Sequence, residues 1–214
     1  MKTLMLILLL LPISLITAQK IGEMAPEKPP IVFPLNTWGA DIMFGDGGFG
    51  LGTFYRRNFS QELTGFFDFS ISEIKDDREV DYYDYYTGTT YSPFKSNRAF
   101  LMPLNFGIQY RLFSESLTDS FRPYIAAAIG PNFIVTTPYN EEFFNSFKWA
   151  KLRYAVGGYI GIGANIGESK SSLLGLSVRY YYTSVIGDGF ETMIATEKKN
   201  FGQIFISLNL GVMY

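Results

Sequence analysis

The closing stretch, Asn200 to Tyr214, constrains this chain more than any other. Every second residue is apolar without a break: Ile204, Ile206, Leu208, Leu210, Val212 and Tyr214. The interleaved set, Gln203, Phe205, Ser207, Asn209, Gly211 and Met213, is mixed and partly polar. A period of two means a β-strand with one face in an apolar medium and the other not. Strands of roughly ten residues, greasy on one side only, are what a closed barrel needs to cross a bilayer.

The same alternation recurs upstream. It predicts strands at about Thr37–Phe44, Phe49–Phe59, Glu62–Ile74, Arg98–Leu112, Phe121–Val135, Ala150–Ile166 and Ser172–Thr183, which with the closing stretch makes eight. The fourth is the cleanest, with Phe100, Met102, Leu104, Phe106, Ile108, Tyr110 and Leu112 on one face. Pro103 within it has no N–H to give a ladder, which predicts a bulge or weak pairing. The connections run short, short, long, short, medium, short, medium. Short turns on one side and longer loops on the other is the asymmetry of outer-membrane barrels, with the turns periplasmic. An even strand count returns both ends of the barrel to that side.

Composition fits a dispersed rather than a continuous apolar content. Hydrophobic residues make up 47% of the chain, yet past the first twenty residues no run approaches the ~20 needed for a membrane helix. Met1 to about Ala18 reads as a secretory signal: Lys2, the run Leu4 to Leu11, Pro12 and a small residue at Ala18. Residues 19–35, with Pro26, Pro29, Pro30 and Pro34, read as a solvated periplasmic linker, and 36–214 as the barrel. A formal charge of −2 gives no reason to expect nucleic acid as a partner.

Alternation alone does not say which face is outside. A lipocalin-type secreted barrel has the same strand count with its apolar residues inward. Here the less apolar face is rich in Gly and Ala and carries Asp41, Arg56, Glu62, Asp68, Arg111, Arg153 and Arg179. Small residues with sparse, opposite charges suit a narrow, filled interior, whereas a soluble exterior is dense in Lys and Glu. The apolar face then meets lipid, with tyrosines and Trp38 or Trp149 near the interfaces. The fold expected is all-β: an eight-stranded antiparallel up-and-down transmembrane barrel in the cell outer membrane.

On these residues the chain resembles the eight-stranded outer-membrane β-barrel domain family, the OmpA-like and PorT-like small barrels of Gram-negative bacteria. The stretch Phe100 to Phe113, FLMPLNFGIQYRLF, and then Arg122 to Phe133, RPYIAAAIGPNF, is similar to that family's Pro-containing strand and its Arg/Lys-Pro-Tyr start. GGYIGIGANI (Gly157 to Ile166) and GLSVRYYY (Gly175 to Tyr182) fit its later strands. Leu208, Leu210, Val212 and the terminal Tyr214 match the family's assembly signal, read by the barrel-insertion machinery. Asn209 stands where the family often has Gly. The resemblance implies outer-membrane lipid and lipopolysaccharide as surroundings, a monomer, and extracellular ligands or proteins reached through the loops. It also admits a narrow OmpW-like channel for small or hydrophobic solutes, or a PorT-like accessory role in protein secretion.

The chain contains no His and no Cys. The His-dependent mechanisms of enzymatic outer-membrane barrels, and thiolate metal sites, are therefore closed to it. No catalytic residue, cofactor or metal is expected. Asp41 and Asp68 share the lumen face and form either an acid–base pair or, with Arg56, Arg111, Arg153 and Arg179, a neutralising charge network that fills the lumen. The loop with Asp76, Asp77, Glu79, Asp81, Tyr82, Tyr83, Asp84, Tyr85 and Tyr86 is the candidate binding surface, since tyrosine gives broad contact at low entropic cost. Its alternative is a strand pair extending past the bilayer. Phe143, Phe144, Phe147 and Trp149 belong either to the mouth of a hydrophobic-solute route or to the aromatic girdle.

Overall fold

A computed structural model describes residues 31–76, 78–117 and 119–214; the expected signal segment and residues 19–30 of the linker lie outside the described residues. Eight strands close into one antiparallel barrel in the order β1 (Asn36–Gly45), β2 (Gly48–Asn58), β3 (Leu63–Ile74), β6 (Asn97–Arg111), β7 (Phe121–Pro138), β8 (Lys151–Ile166), β9 (Ser172–Val185) and β12 (Asn200–Met213). The closing strand pairs with β1 on one side, Trp38 opposite Val212 and Ile42 opposite Leu208, and with β9 on the other. Closure leaves no sheet edge to satisfy in lipid. Two short hairpins, β4 (Tyr82–Asp84) with β5 (Thr89–Tyr91) and β10 (Phe190–Met193) with β11 (Thr196–Lys198), rise from the longer connections. Between β7 and β8 lie a single helical turn, α1 (Phe143–Ser146), and a 3-10 turn, Phe147–Trp149.

The apolar face points outward. Phe106, Ile129, Ile160, Leu176, Ile206 and Val212 are exposed on the outer wall, while Ser207, Asn209, Asp41 and Asn105 are buried within. A wall this apolar, on a closed barrel with strands of 10 to 18 residues, is that of an outer-membrane-type barrel. Leu208, Leu210, Val212 and Tyr214 all lie on the outward side of β12.

Side chains layer the interior. Toward the long loops sit Ile74, Leu101, Ile134, Val185, Phe190 and Phe201; at mid-height Met43, Tyr159, Tyr181 and Phe205; toward the termini Phe54, Leu173 and Met213. Glycine makes room for these rings. A Cβ on Gly39 would lie 2.5 Å from Cζ of Phe54, and one on Gly107 2.5 Å from Cζ of Phe66. Eight strands leave a core of the width that side chains fill.

Of the two outcomes expected at Pro103 the structure shows the weak pairing: pairing lapses opposite Ser70 and Ile71, and the register is the same on both sides, Phe69 with Leu104 and Ser72 with Leu101, so there is no bulge. One missing donor costs a ladder bond without requiring an extra residue. The tyrosine-rich connection is a hairpin in its own right rather than an extension of β3 and β6. The last residues of the linker are not wholly solvated, because Phe33 packs against Phe54, Leu173 and Met213.

Candidate functional site

The connections after β3, β7 and β9 meet over one end of the barrel, joined by hydrogen bonds such as Tyr139 N to Ser96 O at 3.0 Å, and ion pairs brace the first of them. Lys95 is buried between Glu73 and Glu79, with Nζ 3.2 Å and 2.6 Å from their carboxylates, and lies 5.3 Å from the ring of Tyr139. Asp76 receives a two-point bond from Arg78, both distances 2.9 Å, and a bond from the Thr192 hydroxyl at 2.6 Å. The Arg78 guanidinium, and after it the Thr192 hydroxyl, hold the Asp76 carboxyl well below the usual carboxylate range. Asp81 accepts from the Ser92 hydroxyl and pairs with Lys75 at 2.9 Å, which lowers its pKa in that order of importance. Backbone bonds from Ser96 N to Thr192 O (2.9 Å) and Ile194 N to Phe94 O (2.8 Å) join the first connection to the third.

On this base stands the β4–β5 hairpin. Asp84 caps its turn, accepting from the Tyr86 N–H and the Thr87 hydroxyl at 2.8 Å each, which lowers its pKa. Gly88 follows at φ +67, a left-handed position that glycine takes at little cost. Tyr82 and Tyr91 stack across the strands at 6.2 Å, and Tyr83 meets Tyr85 edge to face at 5.1 Å. Tyr85 and Tyr86 at the tip are 88% and 101% exposed, and apart from the Tyr83–Tyr85 contact their rings stand in solvent.

In the lumen, the expected charge network divides by height. Arg179 pairs with Asp41 at 2.9 Å, and Asn209 donates to the second oxygen of the same carboxylate. Asp68 is held by neutral donors, Tyr159 Oη at 2.6 Å and Asn105 Nδ2 at 3.0 Å. Arg179 also lies 5.2 Å over the ring of Tyr159, which links the two groups. The remaining arginines sit elsewhere. Arg153 bonds Gly189 O at 3.3 Å beneath the long loops, Arg111 pairs with Asp119 at 2.9 Å near the termini, and Arg56 lies 4.2 Å over Phe54. Each points inward as the alternation requires, but only Arg179 is placed to reach a lumenal aspartate. Both aspartates are taken up by these bonds, so the two do not stand as an open carboxylate pair among the described residues.

Asn209, Tyr159 and Asn105, which complete this cluster, are polar groups on the inward face that charge counting passed over. The one signal for Asn209 was its place in a position where a smaller residue is usual. The Phe143 and Phe147 rings pack on the outward-facing Phe100 at 6.2 Å and 5.9 Å, on the outer rim rather than over the lumen. Among the described residues no cluster of three or more acidic side chains is arranged to hold a metal ion.

No family model matches the chain. No curated protein matches it either. Solved structures similar to it in architecture include Neisserial surface protein A, 12% identical, with a TM-score of 0.47 over 84% of this chain and 94% of that one. The N-terminal barrel domain of Pseudomonas aeruginosa OprF is 13% identical, with a TM-score of 0.41 over 83% and 95%. An outer-membrane enzyme, PagL, is 15% identical, with a TM-score of 0.36 over 84% and 99%. The strand pairing and outward apolar wall themselves give this chain the architecture of an eight-stranded outer-membrane-type β-barrel.

Proposed function

We propose that this chain is a non-enzymatic outer-membrane protein that works as a surface-recognition element, with its lumen filled and the β4–β5 hairpin as the contact. The observation that carries this reading is the contrast within one loop. Its base is locked by the buried Lys95 and Asp76 clusters, while its tip holds Tyr85 and Tyr86 almost wholly in solvent. A rigid base with free aromatic rings suits binding, because little order is lost when a partner arrives. The layered interior supports a non-conducting barrel over a narrow channel, since polar and apolar side chains meet across the lumen at several heights.

The test is a comparison of proteoliposomes carrying the wild-type barrel or a Tyr85→Ser, Tyr86→Ser variant on arrays of immobilised glycans and peptides. Both residues are exposed, so the variant retains the fold. Wild-type adhesion to a subset of spots that is lost in the variant is expected; equal adhesion of the two rejects the hairpin as the working surface.

A further inference from the structure

At the end of the barrel that holds the termini there is a cavity of about 180 Å³, walled by Arg56, Arg111, Arg122, Asn165, Phe33 and Leu173. Three guanidinium groups face one small space. Arg111 is neutralised by Asp119 at 2.9 Å. The other two have no carboxylate within ion-pair distance among the described residues, although Asp119 acts on Arg122 from farther off and Glu62 lines the same cavity. Arg56 is 6% exposed and has a single long bond, 3.4 Å, to Asn165 Oδ1. Arg122 is 7% exposed, and its Nη1 is buried with no hydrogen-bond partner. Its guanidinium carbon lies 3.7 Å over the ring of Phe33.

A buried charge without a counter-ion is costly, and stacking on a ring offsets only part of that cost, because the in-plane N–H donors still need acceptors. The group that satisfies such donors best is a planar or tetrahedral oxyanion, which the guanidinium fork meets with paired bonds. We propose that this cavity is an oxyanion site that takes one small phosphate or carboxylate group from the periplasmic side, held by Arg122 and Arg56. The space is below the roughly 300–1,000 Å³ of drug-sized ligand pockets, so it admits the anionic head alone. That head belongs either to a free anion or to a lipid headgroup of the adjoining leaflet.

The test uses the full chain folded in a zwitterionic detergent. Inorganic phosphate is titrated and its 31P line width followed, and the urea midpoint is compared in phosphate and in chloride of equal ionic strength. Wild-type protein is expected to broaden the phosphate line and to unfold at higher urea in phosphate. Arg122→Gln weakens phosphate at least tenfold, and so does Arg122→Lys, which keeps the charge but lacks the fork. Lys170→Gln, which removes a charge from the exposed turn at the same end, leaves the response unchanged. If Arg122→Gln does not fold, Arg56→Gln is read in its place. Vesicles of phosphatidylcholine with and without phosphatidylglycerol separate the sources: suppression of phosphate binding by the anionic lipid assigns the site to a headgroup, and no suppression assigns it to a free anion. A wild-type response to phosphate no greater than that to chloride means that water meets these guanidinium groups, and overturns the proposal. So does an equal response in wild type and Arg122→Gln.

Discussion

Arg179 on β9 reaches past β12 to pair with Asp41 on β1 at 2.9 Å, and both side chains are buried. Asp41 lies opposite Asn209, which lies opposite Gly175, so the row holding the aspartate contains one amide and one residue with no side chain. Arg179 stands two inward positions along its own strand from Gly175 and opposite Gly161, where a Cβ would lie 3.1 Å from its Cγ, so the missing side chain makes room for it. The pair is thus assembled from three strands.

Breaking it leaves one charge buried without its partner. Asp41→Asn or Arg179→Gln is expected to cost about 3–5 kcal/mol each. Arg179→Leu combined with Asp41→Asn should lose less than either single change, since neither partner of the pair is then left charged without the other. Urea unfolding in detergent, followed by tryptophan fluorescence, reads all four proteins.

The stacked interior predicts an electrically quiet barrel. Purified protein in a planar bilayer should show no steady conductance step. A long-lived open level in the wild type would mean that Tyr159, Tyr181 and Phe205, packed at 4.7 Å and 5.8 Å between ring centres, move apart in the membrane.

The outer loops should loosen with acid. The Asp76 and Asp81 carboxyls are held below their ordinary values, so their contribution to loop order is complete above the unfolded value of about 4. It is lost as pH falls through the lower, folded values. Near-ultraviolet circular dichroism of the tyrosines should be flat from pH 8 to about 5 and fall below that range. Asp76→Asn should reduce the neutral-pH signal and shrink the acid step.

Glycine at Gly107 is a packing requirement. A Cβ there would lie 2.6 Å from Ala128 Cβ as well as against Phe66, whose ring stacks on Tyr159 at 6.1 Å. Gly107→Val is expected to cost about 1–3 kcal/mol, seen as a lower urea midpoint with outward-facing contacts unchanged.

Strand number, strand limits to within a few residues and the lipid-facing side were all legible in the chain, because a period of two is a local property that each segment carries alone. Leu208, Ile160 and Phe106 lie on the outer side that their alternation assigns them. The tyrosine-rich hairpin is also written locally, in Asp84 and Gly88 at its turn. Partners inside the lumen are not local. Asp68 and Tyr159 are 91 residues apart, and their meeting depends on the stagger with which the sheet closes. Alternation puts Arg56, Arg111, Arg153 and Arg179 on one face but is silent about height, and height decides that Arg179 meets Asp41 within the barrel and Arg111 meets Asp119 near the termini, while Arg56 and Arg153, at opposite ends, pair with no carboxylate among the described residues. The tertiary structure decided this, because the shear of a closed barrel is a property of all its strands together.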